Sequence, residues 1–180
     1  CRHMFSEWTN LVSVDLSGLD TSRVTDMTCM FTECAALKTV NFQGVDASNV
    51  TSMSSMFNEC SSIKSIDLSG INAARVTNMY GLFQNCLSLE SVDISSFTGS
   101  AITNAMYSFA GAPLVSQLTL PAGLDLTDNN TLAYLRTSPM GAHHDSRWVD
   151  TTGAVYDSNE EMLWANVERV SGAETYTTTD

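Results

Sequence analysis

The sequence of this 180-residue chain offers little for catalysis. Its histidines are His3, His143 and His144, and no nucleophile–base, phosphate-loop or metalloprotease motif surrounds them. Adjacent histidines followed by Asp145 resemble a fragment of a metal site, but we favour exposed loop residues. Calcium binding at residues 125–130 is a less favoured alternative, since that short acidic run lacks the spacing of a calcium loop. We therefore predict no enzyme, no catalytic residue, no metal site and no cofactor.

Polar side chains that a partner would meet recur instead at one fixed interval along the chain. One column carries Asp in three units and Asn in the other, a second carries Ser or Thr, and two further outward positions are basic or amide-bearing. The candidate partner-binding face consists of Ser13, Asp15, Lys38, Thr39, Asn41, Gln43, Ser65, Asp67, Ser91 and Asp93. Such a face predicts binding of a protein or glycan, because repeat folds commonly bind through one extended surface. A solvated face whose side chains hydrogen-bond to one another is the alternative.

These columns follow from an internal repeat whose copies are all of the same length. We number the copies unit 1 (residues 4–29), unit 2 (30–55), unit 3 (56–81) and unit 4 (82–107), and a fading fifth copy opens at Ser108. No insertion or deletion breaks the register of the four units. A fixed period of this length predicts a solenoid, in which each copy packs on its neighbours.

Within a unit, the apolar positions predict one short parallel strand. The spacing Leu11-x-x-Val14-x-Leu16 is that of a leucine-rich repeat, and its second half alternates with period 2. The stretch Val24, Met27, Met30 and Phe31 has helical spacing, which predicts a short helix or a single turn after each strand. The predicted fold is thus an α/β solenoid over residues 1–124, about four and a half repeats, with a small α+β capping region over 125–180.

Three of the five cysteines occupy one repeat position: Cys34, Cys60 and Cys86. Stacked about one strand spacing apart (~4.8 Å), their Cβ vectors would point the same way, which is poor disulfide geometry. We predict buried free thiols that pack as small apolar side chains. A bridge between Cys1 and Cys29 is a less favoured alternative.

The charge balance excludes one class of partner. The formal charge is −12, and the 43% hydrophobic content is that of a globular chain. So acidic a chain has no basic surface for phosphates, which argues against nucleic acid. No stretch approaches the ~18 apolar residues of a membrane span. Cys1 falls within a repeat, so we expect earlier repeats and any anchor to lie outside this segment, and we expect a monomer.

Residues 125–180 do not repeat. We predict a short helix over residues 131–136, a loop over 137–147, a β-hairpin from Trp148-Val149 and 154–156, a second helix over 157–167 and a final strand over 175–178. Pro121 cannot donate to a strand ladder, so we expect the repeats to end near Leu124.

Residues 16–34, LSGLDTSRVTDMTCMFTEC, resemble the repeat of BspA-like leucine-rich-repeat bacterial surface proteins, which also occurs in mycoplasma lipoproteins. The Trp, Gly-x-Val-Tyr and Thr-Tyr-Thr elements of residues 147–180 are similar to the segment that follows such repeats. The resemblance implies an extracellular, cell-surface location and adhesion to a host or neighbouring-cell protein or glycan. It brings no catalytic motif. A spacer that projects another domain from the cell surface is the alternative function.

Overall fold

The computed structural model describes residues 1–126, 148–156, 166 and 172–178. It is rich in short strands and contains almost no helix. The strands are β1 (Ser13–Asp15), β2 (Thr39–Asn41), β3 (Ser65–Asp67), β4 (Ser91–Asp93), β5 (Gln117–Pro121), β6 (Trp148–Val149), β7 (Val155–Tyr156) and β8 (Ala173–Thr178).

The first five strands begin at the same position of successive repeat copies, so the parallel strand predicted for each unit is confirmed. β1 pairs with β2 in a two-stranded parallel sheet, and β3, β4 and β5 pair in parallel within a second sheet. Each residue pairs with its own repeat equivalent, as Val14 does with Val40 and Ile66 with Val92. A repeat without insertions therefore places equivalent side chains one above another.

The helix predicted after each strand is wrong for residues 1–126, where the one helical segment is the 3₁₀ turn Gly99–Ala101. The predicted alternative, turn structure, occupies these positions. Around Phe31 the backbone N–H groups alternate in direction: Phe31 donates to Met56 O of the next unit (2.9 Å), while Thr32 donates to Cys29 O (3.3 Å) within its own unit. Half the N–H groups thus join neighbouring units, which an α-helix would not allow because it uses them internally.

This ribbon of turns needs two left-handed residues in each unit. Their φ angles are positive at Cys29 (55°) and Glu33 (62°) and at the equivalent residues of the other units. Gly81 and Gly111 occupy one such position each, but none of the others is glycine. The left-handed conformation is unfavourable in free energy for any residue that has a side chain. Packing between units must therefore hold these turns.

The core is a set of columns that run through the units. Phe31, Phe57 and Phe83 are fully buried, and their rings stack with centroids 5.5 Å and 6.0 Å apart. The apolar columns of the repeat are buried in units 3 and 4, except that Ile102, the unit 4 equivalent of Val24, is only partly buried. In unit 1, which has a described neighbour on one side only, Trp8 is 56% exposed. Its repeat equivalents Cys34, Cys60 and Cys86 are buried, so the core position that the repeat predicts for Trp8 is wrong.

The predicted buried thiols are confirmed, and all five cysteines are free. The three stacked thiols donate hydrogen bonds to backbone oxygens of the preceding unit, as Cys60 Sγ does to Phe31 O (3.1 Å) and Cys86 Sγ to Phe57 O (3.1 Å). Burial raises the pKa of the Cys60 thiol, and it raises the pKa of Cys86 to about 12. These thiols therefore stay protonated and join one unit to the next.

We expect iodoacetamide to label Cys1 at least a hundredfold faster than Cys60 or Cys86 in the folded protein. Only the thiolate reacts, and burial both raises the thiol pKa and blocks access. Mass spectrometry of the labelled peptides measures each rate, and all five thiols should react alike in denaturant. Equal labelling of Cys1 and Cys60 in the folded protein would contradict the buried column.

The C-terminal strands continue the second sheet in antiparallel fashion. β8 pairs with β5 along its length, β6 pairs with β8, and β6 and β7 form the predicted hairpin. The predicted final strand is confirmed and begins earlier, at Ala173. Buried Asn166 donates its amide to Pro121 O (3.1 Å) and Leu124 O (3.3 Å). The predicted helix over 131–136, the loop over 137–147 and, apart from Asn166, the helix over 157–167 lie outside the described residues.

Candidate partner-binding face

The first and third residues of strands β1 to β4 point away from the core, as the alternation predicts. The middle residues (Val14, Val40, Ile66 and Val92) face inward and are partly or fully buried. The flanking residues are exposed in β1 to β3 and half-buried in β4. Lys38 and Gln43, at the two ends of β2, lie beside this face, with Lys38 exposed and Gln43 at the surface after the strand. The candidate residues therefore share one surface, and whether that surface binds a partner stays a prediction.

Each acidic residue on this face also stabilises the turn that follows its strand. Asp67 Oδ1 accepts hydrogen bonds from the Ser69 backbone N–H (2.9 Å) and hydroxyl (2.6 Å). The same backbone bond joins Asp15 to Ser17, Asn41 to Gln43 and Asp93 to Ser95. An Asx turn needs only the side-chain oxygen, so Asn serves as well as Asp. The geometry of the turn therefore explains an Asp or Asn at this position but not the negative charge.

The acidic residues of this face differ in the charge of their neighbours. Asp67 and Asp93 are direct partners in adjacent strands, where like charges repel. Between Asp15 and Asp67 stands Asn41, whose Nδ2 donates to Asp15 Oδ1 (3.0 Å). The Ser17 N–H, together with the Ser17 hydroxyl and the Asn41 amide, lowers the pKa of Asp15. Asp15 is therefore a carboxylate at neutral pH.

Hydroxyl groups form the second column of the face. Ser13 lies opposite Thr39 across β1 and β2, and Ser65 lies opposite Ser91 across β3 and β4. Hydroxyls both donate and accept hydrogen bonds, whereas ionised carboxylates only accept. The two columns together suit a ligand that carries many donors.

A discontinuity between β2 and β3 was not predicted from the sequence. The strand ladders join β1 to β2 and β3 to β4, but none joins β2 to β3. The gap opens into a cavity of about 380 Å³ lined by residues of β2, β3 and the turns after them. The one sequence signal is that unit 2 carries Phe42 and Gln43 where units 1 and 3 carry Leu and Ser.

The other chemistries considered from the sequence find no support within the described parts of the chain. No three carboxylate, imidazole or thiol groups are grouped there as ligands for a metal ion. Asp125 is described, whereas Asp128, Asn129, Asn130, His143 and His144 lie outside the described residues. No helix in these parts is long and apolar enough to cross a membrane.

Comparison with known families gives a match over most of the chain. The model of the family described as "Mycoplasma protein of unknown function, DUF285" matches residues 1–120, which include units 1 to 4. No curated protein and no solved structure matches the chain.

Proposed function

The chain belongs to the family described as "Mycoplasma protein of unknown function, DUF285", and on this basis we propose that it is an extracellular binding module of a bacterial cell surface. In this proposal the units are coils of a leucine-rich-repeat-like solenoid of the BspA type. The partner is a protein or glycan of a host or neighbouring cell. It binds to the candidate partner-binding face, which we call the strand face.

One observation carries the proposal: the strand face presents charged residues where uncharged ones would serve the fold. Asn41 makes the same turn bond as Asp15, Asp67 and Asp93, so an all-Asn column would keep the turns without repulsion between Asp67 and Asp93. Retaining the charge at a cost in stability is explained if the carboxylates meet a partner. Complementary charge favours a partner whose contact surface is cationic or rich in hydrogen-bond donors.

The experiment compares two charge-matched double variants. D67N/D93N removes two of the three carboxylates of the strand face, and D20N/D46N removes two carboxylates that lie in the turns after the strands. Both should keep their Asx turns, because Asp20 and Asp46 also accept bonds from the N–H two residues later (3.1 Å and 2.9 Å). Each double variant removes two negative charges from the −12 of the unmodified chain, so the two remain matched in net charge.

We expect D67N/D93N to weaken binding to an array of immobilised host matrix proteins and cell-surface glycans by about tenfold or more. A tenfold loss corresponds to about 1.4 kcal/mol of binding free energy. D20N/D46N should bind as the unmodified protein does, and circular dichroism should be unchanged in both. Equal binding by the two variants would refute a role for this face. If the unmodified protein binds nothing on the array, the spacer alternative is the better explanation.

A further inference from the structure

The gap between β2 and β3 is a local opening of the strand face. At the other junctions, the residue after the strand donates to the next unit, as Leu16 N–H does to Asn41 O (3.0 Å) and Leu68 N–H to Asp93 O (2.8 Å). The residue before the strand donates instead to the preceding unit, as Lys38 N–H does to Val12 O (2.8 Å). Within residues 1–126, the corresponding bonds of Phe42 to Asp67 and of Lys64 to Lys38 are missing.

Phe42 explains this opening. Its repeat equivalents Leu16, Leu68 and Ile94 are buried, whereas Phe42 is more exposed and sets its ring edge-on against Phe57, with centroids 6.2 Å apart. The larger ring does not fit the space that a leucine fills, so the chain after β2 stands away from β3. Packing on the opposite side of the units is intact, because Thr77 N–H still donates to Thr51 O (3.0 Å).

The cavity is lined by groups of complementary polarity. Asn41, Gln43, Asp67 and Ser69, which carry amide, carboxylate and hydroxyl groups, line it together with the partly exposed Phe42. Local bonds hold two of them in place: Asn41 Oδ1 accepts from Gln43 N–H (3.0 Å), and Asp67 Oδ1 accepts from the Ser69 hydroxyl (2.6 Å). The volume of about 380 Å³ lies within the usual range of small-molecule sites, roughly 300–1,000 Å³.

We propose that this cleft binds one uncharged sugar residue of a surface glycan. The proposal rests on the proposed function and names the ligand class of the same face. Sugar hydroxyls donate and accept at once, which matches a carboxylate acceptor beside two amides and a hydroxyl. The apolar C–H surface of the sugar ring packs on Phe42.

Charge and strand geometry exclude two other ligands. Asp67 lies in the cleft, and the chain carries −12, so sialylated or sulfated sugars are repelled. A peptide strand inserted between β2 and β3 would need them about 9–10 Å apart, two strand spacings. Cα atoms of the two strands instead lie within 8 Å of each other.

The test uses immobilised neutral oligosaccharides ending in mannose, galactose or N-acetylglucosamine, with sialylated oligosaccharides and cationic peptides alongside. F42L/Q43S restores the leucine and serine of units 1 and 3 and should close the cleft. Q43A removes one amide without acting on the backbone. S17Q places glutamine at the equivalent position of unit 1, where β1 and β2 are fully paired, and is the matched control.

We expect the unmodified protein and S17Q to bind at least one neutral oligosaccharide. F42L/Q43S should lose this binding more than tenfold, and Q43A should lose it severalfold. Hydrogen exchange should show slower exchange at the amides of residue 42 and Lys64 in F42L/Q43S. Binding of sialylated sugars or peptides alone, or neutral-sugar binding unaffected by F42L/Q43S and Q43A, would overturn the proposal.

The two proposals fail in different ways. A protein that binds no neutral sugar, yet loses binding to matrix proteins in D67N/D93N, retains the proposed function without a sugar site. If the protein binds neither class of ligand, both proposals are wrong.

Discussion

Replacing Phe57 by alanine is expected to destabilise the protein by about 3–5 kcal/mol. Phe57 is fully buried between Phe31 and Phe83, whose ring centroids lie 5.5 Å and 6.0 Å away, and it also contacts Phe42. Its removal leaves a cavity at the centre of a column and breaks three aromatic contacts. Because small proteins have a total stability of about 5–15 kcal/mol, the loss is a large share of the whole.

Phe5→Ala is the matched control for this prediction. Phe5 belongs to the same column but is only partly buried and stacks on Phe31 alone within the column, with centroids 5.4 Å apart. We expect it to cost less than half as much as Phe57→Ala. Urea unfolding followed by circular dichroism gives both free energies. Equal losses would show that stacking along the column contributes little.

The strands, and which of their residues face inward or outward, could be predicted because both depend on the repeat alone. With no insertion between units, each strand must pair with its equivalent one unit away, as Ser13 does with Thr39. Alternation then decides that Val14 faces inward and Asp15 outward. The exposed candidate face follows from these two facts without any knowledge of neighbouring side chains.

The turn ribbon could not be distinguished from a helix by the spacing of apolar residues. Val24, Met27, Met30 and Phe31 fall on one side of the backbone in either structure, and Met27, Met30 and Phe31 are buried. The difference lies in where the N–H groups donate, and half of them find acceptors in the next unit. Glutamate and cysteine at left-handed positions, such as Glu33 and Cys29, give no glycine signal for such turns.

The cleft of the candidate site was also beyond prediction from the repeat pattern. A phenylalanine at position 42 satisfies the rule that this position is apolar, and the sequence therefore predicts a buried side chain. Its ring meets Phe57 of the next unit edge-on and Phe42 stays partly exposed, a contact that the apolar pattern does not encode. Fit between units, rather than residue class, separates the cleft from the paired junctions.

Gly99→Ala is expected to destabilise the protein by about 3 kcal/mol, at the upper end of the range for overpacking. The repeat suggests the opposite result, because Ala47 and Ala73 occupy the equivalent positions of units 2 and 3 and are fully buried. In unit 4, however, a Cβ at position 99 would collide with the backbone oxygen of Ala122 and the backbone nitrogen of Leu124.

The segment that meets Gly99 cannot move aside easily, because bonds to the C-terminal region hold it. Ala122 N–H donates to Gly172 O (3.0 Å), and Gly123 N–H donates to Asn166 O (3.2 Å). Gly70→Ala is the control, since its Cβ would meet nothing within 4 Å and its φ is not positive. We expect that substitution to be neutral or to stabilise by up to about 1 kcal/mol. Urea unfolding distinguishes the two, and a Gly99→Ala variant as stable as Gly70→Ala would show that the C-terminal region does not hold the last unit rigidly.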